Sequence, residues 1–316
     1  MPAGRFRLDR LRLNLRGLPL LDVVLGYDCN LACDYCTITP AMRRRALSTA
    51  DVVRALGEGR RRGYDAVSFT GGEPTIRKDL VALVRAARDA GYHDVKLQTN
   101  GLLLAHGPNV ATLVGAGVTR FHVSIHTHDA DAYDALVQRD GAYPAMVAGL
   151  AELVTRGLAP VADVILKTDT YRKLEDALAW LRARGVREAH LWFVSLTDGN
   201  RDNLHSMPRM TEVVPVMRQA FAWARANAME VRSLHVPRCL LGDDAPHALD
   251  PGQGDRVWVV TPDAEFELVG STLGGSRYLA VCDGCEHRAI CRGIRPDYLA
   301  RYGDHEFVES RSVNGR

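Results

Sequence analysis

Six of the seven cysteines fall into two short runs, and that clustering constrains the chain more than any other feature. The first run is Cys29-Asn-Leu-Ala-Cys33-Asp-Tyr-Cys36, with three and then two residues between thiols. The second is Cys282-Asp-Gly-Cys285 followed by Cys291, and Cys239 stands between the two runs. The arginine-rich start lacks the apolar stretch and small-residue cleavage site of a secretory signal. An odd cysteine count in such a chain argues against a disulfide framework and for metal binding. Three thiolates on one loop can face a common point. They can hold three corners of an iron–sulfur cube and leave the fourth iron open. Zinc is the alternative, usually closed by four ligands, and no fourth ligand lies near the first run. Cys239, Cys282, Cys285 and Cys291 supply four thiolates, enough for zinc or for a second cluster.

Composition narrows the class. Hydrophobic residues are 47% and charged residues 25%, as in a soluble globular protein. Forty Lys and Arg against 38 Asp and Glu give a net charge of +2, no electrostatic case for nucleic acid or an anionic membrane as partner. No apolar run is long enough to span a bilayer. A cytoplasmic placement follows as an expectation. At 316 residues the chain has room for one large domain or two smaller ones.

Hydrophobic periodicity alternates between two periods. Strands are expected at Leu21–Leu25, Ala66–Thr70, Val95–Thr99, Arg120–Ile125, Val161–Leu166 and Ala189–Val194. Helices are expected at Val52–Arg62, Lys78–Ala90, Asn109–Ala116, Tyr143–Arg156 and Lys173–Arg184, the first opened by the capping-box-like Ser48-Thr-Ala-Asp51. Repeated β-α units imply a parallel sheet with right-handed crossovers, whose site lies at the carboxyl ends of the strands. That rule singles out Thr99, Asn100, Ser124, His126, Lys167 and Trp192. His126 is a candidate substrate contact. The first cysteine run follows one strand; Gly71-Gly72-Glu73-Pro74 follows the next, where glycines let the backbone approach a ligand closely. An edge strand at 10–16 is also expected, with a frayed tail at Ser310–Arg316.

The cysteine run and the Gly-Gly-Glu-Pro turn, separated by one β-α unit, resemble the radical S-adenosylmethionine (radical SAM) superfamily from about Leu21 to Asn200. The resemblance implies an open, partial (β/α)6 TIM barrel over residues 21–209, after an N-terminal segment 1–20. It implies that Cys29, Cys33 and Cys36 bind a 4Fe–4S cluster whose open iron chelates SAM. Tyr35 then lies by the adenine; Gly71, Gly72, Glu73 and Pro74 receive the SAM amino group. Ser124 meets the ribose and Lys167 reaches the carboxylate, with Thr99 and Asn100 at the same strand end. A one-electron donor such as flavodoxin or ferredoxin is the implied partner; short basic clusters at Arg43–Arg45 and Arg60–Arg62 are read as solvated faces or its docking site.

Residues 210–316 change pattern: a helix over Thr211–Ala226, a hairpin at Val257–Val260 and Phe266–Val269, then the second cysteine run. This is similar to the auxiliary-cluster (Twitch or SPASM) extensions of radical SAM proteins and implies a second 4Fe–4S cluster on Cys239, Cys282, Cys285 and Cys291. Four cysteine ligands leave no iron open, so electron transfer is the expected role. The reading that follows is oxidation of an alcohol carbon in a small hydroxylated metabolite of natural-product or cofactor biosynthesis. The alternatives are an epimerase with a free Cys239 as hydrogen-atom donor, and a peptide-modifying enzyme.

Overall fold

The computed structural model describes residues 19–249, 256–268 and 277–308. The edge strand expected at 10–16, the tail at Ser310–Arg316 and the hairpin's end at Val269 lie outside the described residues.

Alternating strands and helices run in chain order. They are β1 (Leu20–Val24), α1 (Thr49–Arg61), β2 (Ala66–Thr70), α2 (Leu80–Asp89), β3 (Asp94–Thr99), α3 (Gly107–Ala116) and β4 (Arg120–Ser124). Then come α4 (Ala130–Val137), α5 (Ala142–Thr155), β5 (Val161–Leu166), α6 (Leu174–Ala183), β6 (Glu188–Phe193), α7 (Met210–Ala226) and β7 (Glu230–Leu234). The C-terminal part adds α8 (Arg238–Leu241), β8 (Val257–Val260), β9 (Glu265–Glu267) and α9 (Pro296–Tyr302). One nine-stranded sheet has the order β7-β6-β5-β4-β3-β2-β1-β8-β9, parallel throughout except for the β8–β9 hairpin. This is the expected mostly parallel α/β sheet of an open barrel, with β7 and β9 at its two edges.

Local chemistry accounts for the elements. Ser48 caps α1 by accepting from the Asp51 amide at 3.1 Å and donating to the Asp51 carboxylate at 2.6 Å, a reciprocal cap. Asp129 caps α4 in the same sense, accepting from the Ala132 amide at 2.9 Å. That helix escapes a periodicity reading because it is only eight residues long. The strands bury Leu21, Val23, Val67, Phe69, Val95, Leu97 and Val123 against the apolar faces of the helices, forming one continuous core.

The sheet continues where the sequence reading ends the barrel. Residues Glu230–Leu234 pair with β6 in parallel as a seventh strand, and α7 packs on α6. The hairpin is built into the same sheet, since β8 pairs with β1 from Leu20↔Val257 onward. Neither pairing is visible in local periodicity, because each joins segments far apart in sequence.

Candidate functional site

The first cysteine run leaves β1 and is fastened, backbone to backbone, to the turn after β2. The Gly72 amide donates to the Gly26 carbonyl and the Glu73 amide to the Asp28 carbonyl, both at 2.8 Å. Glycine makes this possible: a Cβ would lie 2.3 Å from the Gly26 oxygen at Gly71 and 2.0 Å from the Asp28 oxygen at Gly72. The chain that these glycines let in is thus the cysteine loop's own backbone.

Glu73, 2% exposed, is the staple of the turn. Its Oε1 accepts from the Thr75 amide and hydroxyl and from the Thr99 hydroxyl (2.7 Å); Oε2 accepts from the Asn100 amide at 2.7 Å. Burial raises its pKa, and these hydrogen bonds oppose the rise. Asn100 continues the chain by donating from Nδ2 to Asn30 Oδ1, at 2.7 Å, inside the cysteine loop.

Arginines fix the loop from outside. Arg43 donates to the carbonyls of Cys29 (3.0 Å) and Leu31 (2.7 Å), and Arg139 to that of Asn30 (3.0 Å). Arg77 donates to the carbonyls of Leu25 and Leu47 while pairing with Asp79. The basic clusters are therefore not simply solvated faces. Arg43 serves the cysteine loop and Arg45 pairs with Asp263. Arg60 bonds the Tyr64 carbonyl, and Arg62 stacks over Trp258 and pairs with Glu267. A loop without secondary structure exposes carbonyls that need donors, and the guanidinium fork supplies several at once.

At the carboxyl ends of the strands lies a cavity of about 340 Å³. It brings together Cys29, Cys33, Cys36, Tyr35, Gly71 and Gly72 with Thr99, Asn100, Ser124 and His126. Burial pushes the Cys29 thiol up and the Cys33 thiol to about 12, so holding them as thiolates takes compensating positive charge. Three of the expected residues lie elsewhere. Glu73 and Pro74 are buried and are not among the lining residues. Lys167 is 1% exposed, and its ammonium is bound by Asp34 at 2.8 Å and Asp169 at 2.7 Å. Burial lowers its pKa, but the two carboxylates outweigh this and raise it. A buried ammonium takes the nearest anions, so Lys167 ties the end of β5 to the cysteine loop rather than reaching the cavity.

His126 is buried in the lining. The Ile165 amide donates to its Nδ1 at 3.2 Å, and its Nε2 lies 2.5 Å from the Tyr35 hydroxyl. Burial lowers its pKa to about 4, so the ring is neutral with its proton on Nε2, donated to Tyr35. Tyr35 thereby keeps its own O–H for the Cys33 sulfur, with which it is hydrogen-bonded.

Three residues that sequence reasoning passed over meet at the cavity wall: Asp163 on β5, which lines the cavity, with His122 on β4 and His190 on β6 beside it. Asp163 Oδ1 lies 3.3 Å from His122 Nδ1, 3.8 Å from His190 Nδ1 and 3.1 Å from Trp192 Nε1, which donates to it. Burial raises the Asp163 pKa, but His122, His190 and Lys96 together outweigh it and bring the carboxyl down to about 2. A signal existed in the polar residues at alternate positions of otherwise apolar strands, which places them on the inner face. His235 joins the same lining four residues before Cys239, with φ of 72°.

A second cavity, about 530 Å³, is lined by Cys239, Cys282, Cys285 and Cys291. Cys239 feels the other three sulfurs; with burial they push its thiol up to about 12. Zinc thiolates sit roughly 3.8 Å apart around bonds of about 2.3 Å. Among the described residues, the one group whose three candidate ligand atoms all lie within 4.8 Å of each other is His122, Asp163 and His190.

Comparison with known proteins agrees with this geometry. The model of the Radical SAM superfamily matches residues 23–197. A Halobacterium salinarum protein named a probable GTP 3′,8-cyclase is 40% identical over 277 residues, covering 80% of this chain and 71% of that protein. A Sulfurisphaera tokodaii protein of the same name is 26% identical over 231 residues, covering 72% and 71%. The fold is similar to Streptococcus suis SuiB bound to S-adenosylmethionine, with a TM-score of 0.67 at 14% identity over 93% of this chain and 76% of that one. It is similar also to anSMEcpe with bound AdoMet and a peptide, with a TM-score of 0.67 at 13% identity over 94% and 98%. No helix among the described residues is long and apolar enough to cross a membrane.

Proposed function

The chain belongs to the radical SAM superfamily, and from that premise we propose that it oxidises an alcohol carbon of a small hydroxylated metabolite. Membership brings the SAM-binding 4Fe–4S cluster, SAM and an external electron donor. In this reading Cys29, Cys33 and Cys36 hold that cluster, and Cys239, Cys282, Cys285 and Cys291 hold a second one. Bound there, the groups supply reductive cleavage of SAM to a 5′-deoxyadenosyl radical at the first site and an electron sink at the second.

The chain's own residues do the rest. Arg43 and the Gly71–Gly72 strap hold the thiols against the cavity. Tyr35 turns the O–H that His126 leaves it toward the Cys33 sulfur, and Ser124, Asn100 and the glycine backbone provide polar contacts to SAM. Thr99 is occupied by Glu73, so it positions the turn instead. The apolar Leu31, Ile38, Ile165 and Phe193 keep water from the reacting carbon.

The observation that carries the reading is the convergence of Cys239 with the second cysteine run. It favours complete cysteine ligation and speaks against the epimerase alternative, because Cys239 is not among the residues lining the barrel-mouth cavity. The test is Cys239→Ala in anaerobically reconstituted protein. Loss of about four irons with SAM cleavage retained supports ligation. Unchanged iron with 5′-deoxyadenosine still formed but turnover of the substrate lost would instead make Cys239 a hydrogen-atom donor.

The relatives' name favours a second reading, cyclisation of GTP. Against it, no lysine or arginine occurs among the described lining residues, and a triphosphate needs such partners. Incubation with GTP, SAM and dithionite decides: a cyclised nucleotide replaces the oxidation reading, and unreacted GTP removes the cyclase.

A further inference from the structure

The barrel-mouth cavity carries one carboxylate and no lysine or arginine among its described lining residues, and its lining His126 is neutral. That carboxylate is Asp163, 3% exposed. One oxygen is spoken for: Oδ1 takes the Trp192 indole N–H at 3.1 Å and faces His122 at 3.3 Å. The other, Oδ2, is buried and has no hydrogen-bond partner. Buried carboxylate oxygens are ordinarily satisfied, so this one marks the place of a donor that the chain does not supply. Parallel register sets Ser124 directly beside Asp163 on one side and His190 on the other. Trp192 and His122 hold the carboxylate in one orientation, and a fixed anion in a low-dielectric cavity selects strongly by charge.

We propose that Asp163 is the specificity-determining residue of this cavity, its free oxygen accepting a hydrogen bond from a hydroxyl or protonated amine of the substrate. The substrate class is then a neutral or cationic polyol or aminopolyol, and phosphate esters are rejected by like charge. This rests on the oxidation reading above and names the group that recognises the molecule oxidised. A metal ion on Asp163, His122 and His190 is the competing use of the same atoms, which lie within 4.8 Å of one another. The hydrogen-bonded arrangement is favoured because Trp192 donates to Oδ1 and Glu188 Oε1 lies 2.9 Å from His190 Nε2, leaving Oδ2 as the unmet group.

The experiment is calorimetric binding to the reconstituted holoenzyme with SAM, using four fixed probes: 2-deoxystreptamine, scyllo-inositol, glucose 6-phosphate and GTP. At least one of the first two binds; 2-deoxystreptamine ahead of the inositol identifies the donor as an amine, and the reverse order as a hydroxyl. Asp163→Asn, which turns an acceptor into a donor, weakens that binding by about tenfold or more at unchanged iron content. Trp192→Phe, which removes only the N–H, weakens it roughly threefold and decides the matter if the Asn variant does not fold. The proposal is overturned if neither polyol binds, if both variants bind as the wild type does, or if a phosphate probe binds tightest. Stoichiometric metal beyond the cluster iron, lost in His122→Ala, also overturns it. Failure of the oxidation reading looks different: a polyol binds in an Asp163-dependent way, yet no ketone forms on reduction with dithionite.

Discussion

Around Cys29–Cys36 the chain is fixed from outside. The loop receives hydrogen bonds from Arg43 and Arg139, is strapped to Gly72 and Glu73, and has Leu31 in the hydrophobic core. Around Cys282–Cys291 the backbone bonds are local. Cys285 bonds back to Cys282, Cys291 back to His287, and Arg277 and Ile294 close the segment with two mutual bonds of 2.7 and 2.9 Å. Its anchors stand just beyond, where Arg295 donates to the carbonyls of Phe193 and Val194. The lesson is one of pre-organisation. The first site is shaped by the barrel before any metal arrives, whereas the second is a short segment bonded mainly to itself.

That contrast can be broken at several points. The largest effect belongs to Gly72→Ala. Its Cβ would collide with the Asp28 carbonyl at 2.0 Å, so the cysteine loop must part from the turn. SAM cleavage, followed as 5′-deoxyadenosine, should fall at least about a hundredfold, in line with misplacement of a reacting group. Retained cleavage would show that the strap does not position the site. Next is Cys285→Ala. Hydrogen exchange should rise across residues 277–294 with the barrel strands unchanged, and roughly half of the iron should be lost. Loosening of the barrel as well would erase the distinction between the two regions.

Arg43→Ala should cost about 1.5–3 kcal/mol of stability, because two carbonyls lose a charged donor, and it should slow cluster reconstitution. Denaturant midpoints of the iron-free protein measure the first and visible absorbance the second. The smallest effect is expected from Asp263→Ala, which removes the exposed Arg45 pair and the Tyr27 bond at 2.8 Å. A shift within about 1 kcal/mol is expected, weakening with salt. A larger loss would mean that the β8–β9 hairpin is needed to hold the start of the cysteine loop.

Much of this was legible in advance where the controlling chemistry is local. Six barrel strands and their helices follow from hydrophobic period, and the observed bounds differ from the expected ones by a few residues at most. The thiol spacing and the Gly-Gly-Glu-Pro turn pointed to the correct superfamily. Lys167 illustrates the limit. Its place at a strand end is local, but its partner Asp34 lies 133 residues away. The same holds for Arg43, whose triplet looked solvated until the loop carbonyls came within reach.

By itself, the sequence determined which segments are strands and helices, which thiols cluster, and where glycine is required. Those properties depend on neighbours along the chain. Only the tertiary structure decided that β7 and β8 extend the sheet, that Cys239 joins the second run, and that His122, Asp163 and His190 share one point inside the barrel. The reason is register: residues on separate parallel strands meet only after every strand between them has paired, and no local pattern records that alignment.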